Sequence, residues 1–417
     1  MEISEYILSL EKRAKAASAA LNCASDATRC AVLETIAEAV EKESAAILRA
    51  NEKDLENAAA NGVAPQMLDR LKLTESRLGG MADAVRALIR LPDPTAGEKT
   101  WTTPAGLTIL EKKVPLGVVA MIYEARPNVT LDAAALCIKS GNAAVLRCGK
   151  EAIETSAALR DCICNALESC GLPRDCVVLV ERTEREGANA LMTIRGYIDV
   201  LIPRGGKGLI QNVVENAKVP VIETGAGNCH VYIEKTADFD MARRIIENAK
   251  VQRPSVCNAA ECLLCDRAIA KEFLPLLEAD MVRCGVEIRA DANCIGLFQH
   301  AVPATEEDFF TEYNDLILSV KLVETVDEAI EHINLHGTKH SEAIVTRDGE
   351  AAKRFTERID AAAVYVNTST RFTDGGEFGY GAEIGISTQK LHARGPMGLA
   401  ALTTVKYIVT SDGAVRK

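Results

Sequence analysis

The chain has 417 residues, a formal net charge of −11 and a hydrophobic content of 48%. This length allows two or three domains with full-sized cores, and no apolar run reaches the roughly 18 residues that a membrane span needs. The acidic balance argues against nucleic-acid binding, which usually requires a basic surface. Fourteen cysteines lie scattered in apolar stretches, and the N-terminal segment lacks a signal-peptide pattern. We therefore expect a cytoplasmic protein whose cysteines are mostly small buried hydrophobes.

The first ninety residues are predicted to be helical. Between Leu33 and Ile47 the apolar side chains recur with the spacing of a helix face, and Asn61-Gly62 supplies a stop signal. A further helix is predicted to start at Thr74 and to end before Pro92.

The pattern changes after this helical region. Residues 101–110 predict a β-hairpin with a Pro-Ala-Gly turn, and residues 403–410 predict a last strand. Between them, short apolar strands alternate with helical segments, which is typical of parallel sheets in doubly wound folds. Two series of strands predict two such domains. The predicted strands are 118–123, 143–147, 177–180, 198–202, 219–223, 231–233, 261–265, 320–323, 343–346 and 363–367, and the helices between them include 209–217, 238–250 and 327–335.

Two glycine-containing basic loops follow predicted strands. Arg147-Cys148-Gly149-Lys150 leads into a helix predicted from Glu151, and Pro203–Gly208 contains Gly205 and Gly206. Ligands of parallel α/β folds bind at strand ends, where glycines expose backbone N–H groups and a helix N-terminus favours an anion. A solvated basic turn is the alternative, but two consecutive loops of this kind in an acidic protein favour phosphate binding.

Two further loops contain candidate catalytic residues. Glu223–Asn228 starts with a carboxylate after an apolar strand, where it could equally be a base or a backbone cap. Cys257 follows the helix-breaking Pro254, so it lies in a polar loop and is a candidate nucleophile, although most of the cysteines are structural. Cys262 and Cys265 have CxxC spacing but lie inside an apolar strand, which favours the core over zinc.

The run Asn367–Gly376 is polar and comes directly after a predicted buried strand. Its Ser369, Thr370 and Arg371 offer hydroxyls and a guanidinium that suit a carboxylate or phosphate, and a solvated loop is the alternative. The six histidines show no metal-ligand spacing. His340 precedes a strand and is expected near the site, whereas two others are expected to be structural residues of one helix, namely His332 and His336.

The whole chain resembles the gamma-glutamyl phosphate reductase (glutamate-5-semialdehyde dehydrogenase) family, a proline-biosynthesis branch of the aldehyde dehydrogenase superfamily. There is no large insertion or deletion. The segments that carry the resemblance are Tyr123–Thr130 (YEARPNVT), Glu223–His230 (ETGAGNCH), Arg253–Asn258 (RPSVCN), Asn367–Gly376 and Lys390–Leu399.

The resemblance implies roles for the catalytic residues. Cys257 matches the nucleophile of the superfamily, and Glu223 matches the glutamate that serves as a base in hydrolytic members. Asn128 matches the asparagine whose amide joins the cysteine N–H in an oxyanion hole. The residues expected to bind substrate are Arg126, Ser369, Thr370, Arg371 and His340.

The resemblance also implies a nicotinamide cofactor. Arg147 matches the residue that contacts the adenosine ribose, and Glu312 matches the glutamate on the nicotinamide ribose. Lys150 occupies a position where many NAD-preferring members have a glutamate, which predicts NADP(H). Gly205 and Gly206 complete the expected cofactor-binding set, and no metal is expected.

The fold implied by the resemblance is α/β and aldehyde dehydrogenase-like, with two doubly wound parallel-sheet domains and a small β oligomerisation unit. Residues 1–96 and 118–229 would bind the cofactor, and residues 230–402 would form the catalytic domain. Residues 97–117 and 403–417 would form a hairpin and terminal strand whose exposed edge pairs with another subunit, giving a dimer or tetramer.

The implied reaction is the NADPH-dependent reduction of L-glutamyl 5-phosphate to L-glutamate 5-semialdehyde and phosphate through a thioester on Cys257. An ordinary, non-phosphorylating aldehyde dehydrogenase is the nearest alternative, and a non-catalytic binding protein on the same fold is a second one. Whether a glutamate 5-kinase partner delivers the labile acyl phosphate stays open. No nucleic acid or membrane partner is expected.

Overall fold

The structure is a computed structural model that describes residues 1–63 and 65–416, without the side chains of residues 65–67 and Lys207. The chain divides into two compact units. The first unit contains residues 1–223, 379–385 and 397–417, and the second contains residues 224–378 and 386–396. Among the described helices, none combines the length and apolar character that a membrane crossing requires.

A parallel four-stranded sheet lies at the centre of the first unit. Its strands are β3 Val118–Tyr123, β4 Ala143–Arg147, β5 Val177–Leu179 and β6 Val200–Arg204, in the order β5-β4-β3-β6. Every residue of β3 is buried, as a central parallel strand covered on both faces requires.

The strand predicted over residues 219–223 was wrong. Only Val221 forms a bridge, to Leu201 of β6. Pro220 accepts a bond from the Leu201 N–H and Ile222 donates to the Leu201 carbonyl. Because proline has no N–H to donate, the ladder cannot extend past Pro220 towards the N-terminal side of this bridge.

Helices surround this sheet, and side chains define several of their starts. Thr74 caps the helix predicted from that residue by accepting from the Arg77 N–H at 3.1 Å, which typically stabilises a helix by about 1 kcal/mol. The helix predicted from Glu151 begins instead with a 3₁₀ turn, Lys150–Ala152. The helices of this unit are α1 Ile3–Cys23, α2 Asp26–Lys42, α3 Ser44–Ala60, α4 Pro65–Leu71, α5 Glu75–Ile89, α6 Asn128–Lys139, α7 Ile153–Ser169, α8 Arg185–Thr193 and α9 Lys207–Asn216.

The first unit also contains an antiparallel three-stranded sheet. Strands β1 Glu98–Thr102 and β2 Thr108–Pro115 form the predicted hairpin, and the last strand, β16 Thr403–Thr410, pairs with β2 along its whole length. Seven of the eight residues of β16 are exposed. The hairpin and the terminal strand were therefore predicted correctly.

The second unit is built on a parallel seven-stranded sheet in the order β10-β9-β11-β8-β7-β12-β13. Successive residues of a strand point to opposite faces, so Val231 and Leu263 belong to the core on one face while Tyr232 and Leu264 belong to the core on the other. Two parallel sheets confirm the predicted α/β class. The strands are β7 Cys229–Ile233, β8 Ala260–Asp266, β9 Glu287–Ala290, β10 Val302–Pro303, β11 Ile317–Val323, β12 Ser341–Val345 and β13 Ala363–Val366, with a small pair β14 Ile386–Ser387 and β15 Gly395–Pro396, and the helices are α10 Phe239–Val251, α11 Arg267–Arg283, α12 Val326–His336 and α13 Gly349–Arg358.

Candidate active site

The two predicted phosphate loops lie at the carboxyl ends of two strands of the four-stranded sheet. Strand β3 pairs with both β4 and β6, so Arg147 and Arg204 end the strands on either side of it. Glu124 follows β3 between the two loops, and its Oε2 accepts from the Gly206 N–H at 3.1 Å. A Cβ at Gly205 would lie 2.7 Å from Cδ of Glu124, so a larger residue there would displace the Glu124 side chain. The sequence analysis missed Glu124, whose signal was its place directly after the central strand.

The two basic residues after β4 differ in their surroundings. Nη2 of Arg147 donates to the carbonyls of Thr183 at 3.0 Å and of Glu184 at 3.4 Å. Burial lowers the pKa of Arg147 below its usual value, against the charges of neighbouring groups. Lys150 is exposed in the 3₁₀ turn. Of the two, Lys150 is therefore the cation that a ligand phosphate can reach without breaking these bonds.

Asn128 lies at the start of α6 and lines a small polar cavity of the first unit. Its Nδ2 donates to Oδ2 of Asp132 at 2.9 Å. Burial raises the pKa of Asp132 to about 6, while the bond from Asn128 and the charge of Arg204 oppose the rise. Arg126 and Glu383 also line this cavity. The amide predicted to stabilise an oxyanion is thus oriented by a carboxyl group one helical turn away.

In the second unit, Cys257 lies in the loop between α10 and β8, as predicted, and is partly exposed. The Cys257 carbonyl accepts from Sγ of Cys229 at 3.2 Å. Gly227 packs against the same carbonyl, because a Cβ there would lie 1.4 Å from its oxygen. Oε1 of Glu312 in turn accepts from the Gly227 N–H at 2.7 Å. The nucleophile loop is therefore held through its backbone.

Arg371 joins the residues on both sides of Cys257. Its Nε donates to Oε1 of Gln252 at 3.0 Å, and its Nη1 donates to Oδ1 of Asn258. Thr370 is buried and donates through Oγ1 to the Asn258 carbonyl at 2.7 Å. Burial lowers the pKa of Arg371, as does the charge of a neighbouring arginine. The predicted polar run thus brings a guanidinium to the nucleophile loop.

Two further predicted residues are buried in the second unit. Nδ1 of His340 lies 2.8 Å from Oγ of Ser341 and 3.9 Å from Sγ of Cys229. Oγ of Ser369 accepts from the Arg371 N–H at 3.3 Å. Burial, and then the neighbouring charge of Glu342, raises the pKa of Cys229 well above its usual value. Cys229 stays a thiol at neutral pH, which leaves Cys257 as the candidate nucleophile of this cluster.

The candidate catalytic loops of the second unit precede their strands. Gly227 comes just before β7, and Cys257 comes before β8. In the first unit the basic loops follow their strands, as the general rule for parallel sheets predicts. Glu223 is partly buried at the end of the first long segment of the first unit, and its role as a base stays a prediction.

Comparison with known proteins identifies the family of the chain. The sequence pattern of the aldehyde dehydrogenase family matches residues 5–296 and 307–408. The chain is 55% identical to a gamma-glutamyl phosphate reductase from Carboxydothermus hydrogenoformans, over 99% of the chain and 100% of the relative. It is 52% identical to the enzyme of that name from Clostridium acetobutylicum, over 100% of both chains.

Solved structures give the same result. The crystal structure of gamma-glutamyl phosphate reductase from Thermotoga maritima has a TM-score of 0.96 and 45% identity, covering 99% of this chain and 100% of that one. An acetylating aldehyde dehydrogenase from Geobacillus thermoglucosidasius, at 18% identity, shares the fold with a TM-score of 0.73 over 100% of this chain and 98% of that chain.

The chain belongs to the aldehyde dehydrogenase family and, within it, to the gamma-glutamyl phosphate reductase family. The fold and the oxidoreductase class predicted from the sequence are confirmed.

Proposed function

We propose that the chain reduces L-glutamyl 5-phosphate to L-glutamate 5-semialdehyde and phosphate, with NADPH as reductant. The observation that carries the proposal is Cys257, a partly exposed thiol on a loop fixed by Gly227 and Asn258. It occurs in a chain 52% identical over its full length to a relative named for this reaction.

The first step follows from the chemistry of the acid. A carboxylate is a poor electrophile for hydride, so the substrate arrives activated as an acyl phosphate. The Cys257 thiolate attacks the acyl carbon, the carbon–oxygen bond to phosphate breaks, and inorganic phosphate leaves with the electron pair. A thioester remains on Cys257.

The second step returns the free thiol. When bound, NADPH supplies hydride to the thioester carbon. Uptake of one proton and cleavage of the carbon–sulfur bond release the aldehyde and regenerate Cys257. The amide of Asn128 is the predicted donor to the oxyanions of both steps.

The carboxyl ends of the strands in the four-stranded sheet present groups that suit a dinucleotide. They offer a cation at Lys150 after β4 and the start of α9 after β6, each of which suits a phosphate group. The Glu124 carboxylate already accepts a hydrogen bond from the Gly206 N–H. A carboxylate at this position could also accept a hydrogen bond from a ribose hydroxyl. We assign NADP(H) preference to Lys150, with Arg147 and Glu312 as further predicted contacts.

Arg371 is our candidate for holding an anionic group of the substrate. It binds the residues on both sides of the nucleophile loop through Gln252 and Asn258. A guanidinium recognises phosphate and carboxylate by charge-assisted hydrogen bonds. The other predicted substrate-binding residues are Arg126, Ser369, Thr370 and His340. The hydroxyl of Thr370 donates a hydrogen bond to the Asn258 carbonyl.

We also propose that the three-stranded sheet mediates assembly into a homo-oligomer. Its last strand exposes apolar side chains, with Tyr407 55% and Val409 54% accessible. Trp101 of β1 packs edge-on against Tyr407, with ring centroids 6.2 Å apart. Edge strands with unpaired backbone groups and apolar side chains are suited to pairing with a second copy.

One assay in the reverse direction tests the reaction. Glutamate semialdehyde and NADP⁺ are mixed with the protein, with and without inorganic phosphate, and NADPH absorbance is followed. We expect NADP⁺ reduction that depends on phosphate. Reduction without phosphate, with glutamate as the product, would instead identify an ordinary aldehyde dehydrogenase.

A further inference from the structure

Three potential metal ligands come together in the core of the second unit. His230 of β7 and Cys262 of β8 are register partners on adjacent parallel strands, so they lie on the same face of the sheet. His332 of α12 lies against this face. One ligand atom from each residue lies within 4.8 Å of the other two, and all three residues are buried.

Each of the two histidines has one ring nitrogen without a hydrogen-bond partner among the described residues. Nε2 of His230 and Nε2 of His332 are buried and have no partner within the described part of the chain. A buried polar atom in this state loses its hydration without gaining a partner, which destabilises the fold. The surrounding residues include Tyr232, Leu264, Phe309, Ile330 and Ile333. The imidazole of His336 also stacks on His332, with ring centroids 3.9 Å apart. Something that binds both nitrogens would remove this cost.

The Glu342 carboxylate contacts the imidazole of His230 at Nδ1, away from the unpartnered Nε2. Its Oε2 accepts from the backbone N–H of His230 at 2.7 Å and lies 3.2 Å from Nδ1 of the same ring. A carboxylate on one ring nitrogen fixes the proton there and leaves the lone pair on the other, which is the usual arrangement behind metal-bound histidine. The lone pair of Nε2 is then available to a ligand.

We propose that His230, Cys262 and His332 bind one thiophilic metal ion, either Zn²⁺ or Cu⁺. Imidazole nitrogen with thiolate sulfur is a donor set that both ions accept. On binding, the Cys262 thiol loses its proton to solvent and two metal–nitrogen bonds and one metal–sulfur bond form. No other described side chain joins this group, so the ion has three protein ligands.

The ion would link three separate elements of the second unit. His230 directly follows Cys229, whose thiol donates to the Cys257 carbonyl, and Cys262 lies five positions after Cys257 in the chain. The site is therefore structural, tying α12 to the two strands that follow the nucleophile loop and its supporting glycine. This role is independent of the proposed reaction.

Metal content tests the proposal. The wild-type chain is produced in cultures supplemented with zinc or with copper, purified without chelators, and analysed for metal per chain by mass spectrometry. We expect one equivalent of zinc or copper in the wild type. Cys262→Ser should lose it, while Cys265→Ser should keep it, because Cys265 is equally buried on the same strand but belongs to the core on the other face.

A wild-type chain without bound metal from both cultures would overturn the proposal, leaving a simple thiol–imidazole contact. Equal metal content in the Cys262→Ser and Cys265→Ser variants would overturn it as well. If Cys262→Ser fails to fold, cobalt-loaded wild-type protein decides the question. A thiolate-to-cobalt charge-transfer band supports the site, and cobalt incorporation without that band contradicts it.

Discussion

The backbone of Gly227 packs directly on the main-chain carbonyl of Cys257, so that an added Cβ would lie 1.4 Å from the carbonyl oxygen. The Gly227 N–H is bound at the same time by Glu312 at 2.7 Å. The position of the proposed nucleophile, Cys257, therefore depends on a residue thirty positions earlier in the chain that has no side chain.

We predict that Gly227→Ala lowers kcat by about 100-fold, because a displacement of about 1 Å at a reacting group has an effect of this size. Steady-state kinetics and circular dichroism measure activity and folding separately. Gly349→Ala is the matched control, since nothing lies within 4 Å of a Cβ at Gly349. Wild-type kcat in Gly227→Ala would mean that the loop does not need this close contact.

Cys257→Ala should abolish turnover and leave NADPH binding near normal, because Cys257 is the proposed covalent nucleophile. The control is Cys284→Ala, which removes another partly exposed thiol of the second unit and should retain activity. Substantial residual turnover in Cys257→Ala, carried by Cys229 or Cys262, would contradict the assignment.

Lys150→Glu should weaken NADPH binding by roughly 10- to 100-fold and NADH binding little, because it removes the proposed charged partner of the adenosine phosphate. Titration of both cofactors by fluorescence gives the affinity ratio. Lys42→Glu makes the same charge change on another exposed lysine of the first unit. An unchanged NADPH-to-NADH ratio in Lys150→Glu would rule out the role of this residue.

Arg371→Ala should raise the Michaelis constant for the acyl substrate by about 10- to 100-fold, the loss of a charge-assisted hydrogen bond. Arg371→Lys, which keeps the charge, should recover part of it. Arg267→Ala is the control, because Arg267 is exposed and paired with Glu324. A fall in cofactor affinity with unchanged substrate affinity would assign Arg371 to the other ligand.

Glu11 predicts a pH dependence of stability. Both its carboxyl oxygens are buried without a hydrogen-bond partner in the described chain, and burial raises its pKa from 4.5 to about 8. Because the folded-state pKa is the higher one, its contribution to stability is complete below pH 4.5 and is lost as the pH rises through 8.

Above about pH 8, Glu11→Gln should therefore have a free energy of unfolding about 1–3 kcal/mol higher than that of the wild type. This difference should shrink towards acidic pH. Urea denaturation across this pH range measures it. Glu38→Gln, on an exposed site of α2, controls for loss of charge alone. Parallel stability curves for wild type and Glu11→Gln would contradict the raised pKa.

The sequence predicted those elements whose pattern is local. The terminal strand was predicted at 403–410 and is found at Thr403–Thr410, because its limits are set by its own residues. The helix start predicted at Thr74 is confirmed, and the Thr74 hydroxyl caps the helix by accepting from the Arg77 N–H. The segment 219–223 looked like a strand by composition, but Pro220 removes a ladder donor, a property that the apolar pattern does not reveal.

The candidate site was only partly predictable from the sequence, because some of its contacts join residues that are far apart in the chain. Cys257 and the basic loops were recognisable because each lies in a short segment with its own signature. Glu124 binds the Gly206 N–H from another strand end. His332 meets His230 and Cys262 only after the sheet and α12 have formed, since these three residues have no common spacing in the chain.

The first unit begins with residue 1 but includes residues 397–417, with the second unit inserted between. During translation, β2 therefore cannot pair with β16 until the ribosome has synthesised the whole second unit. The second unit, by contrast, has all but residues 386–396 once residue 378 is made. An arrest peptide joined after residue 378 through a linker long enough to clear the ribosomal exit tunnel should thus find the seven-stranded sheet complete, with one edge of β2 still unpaired.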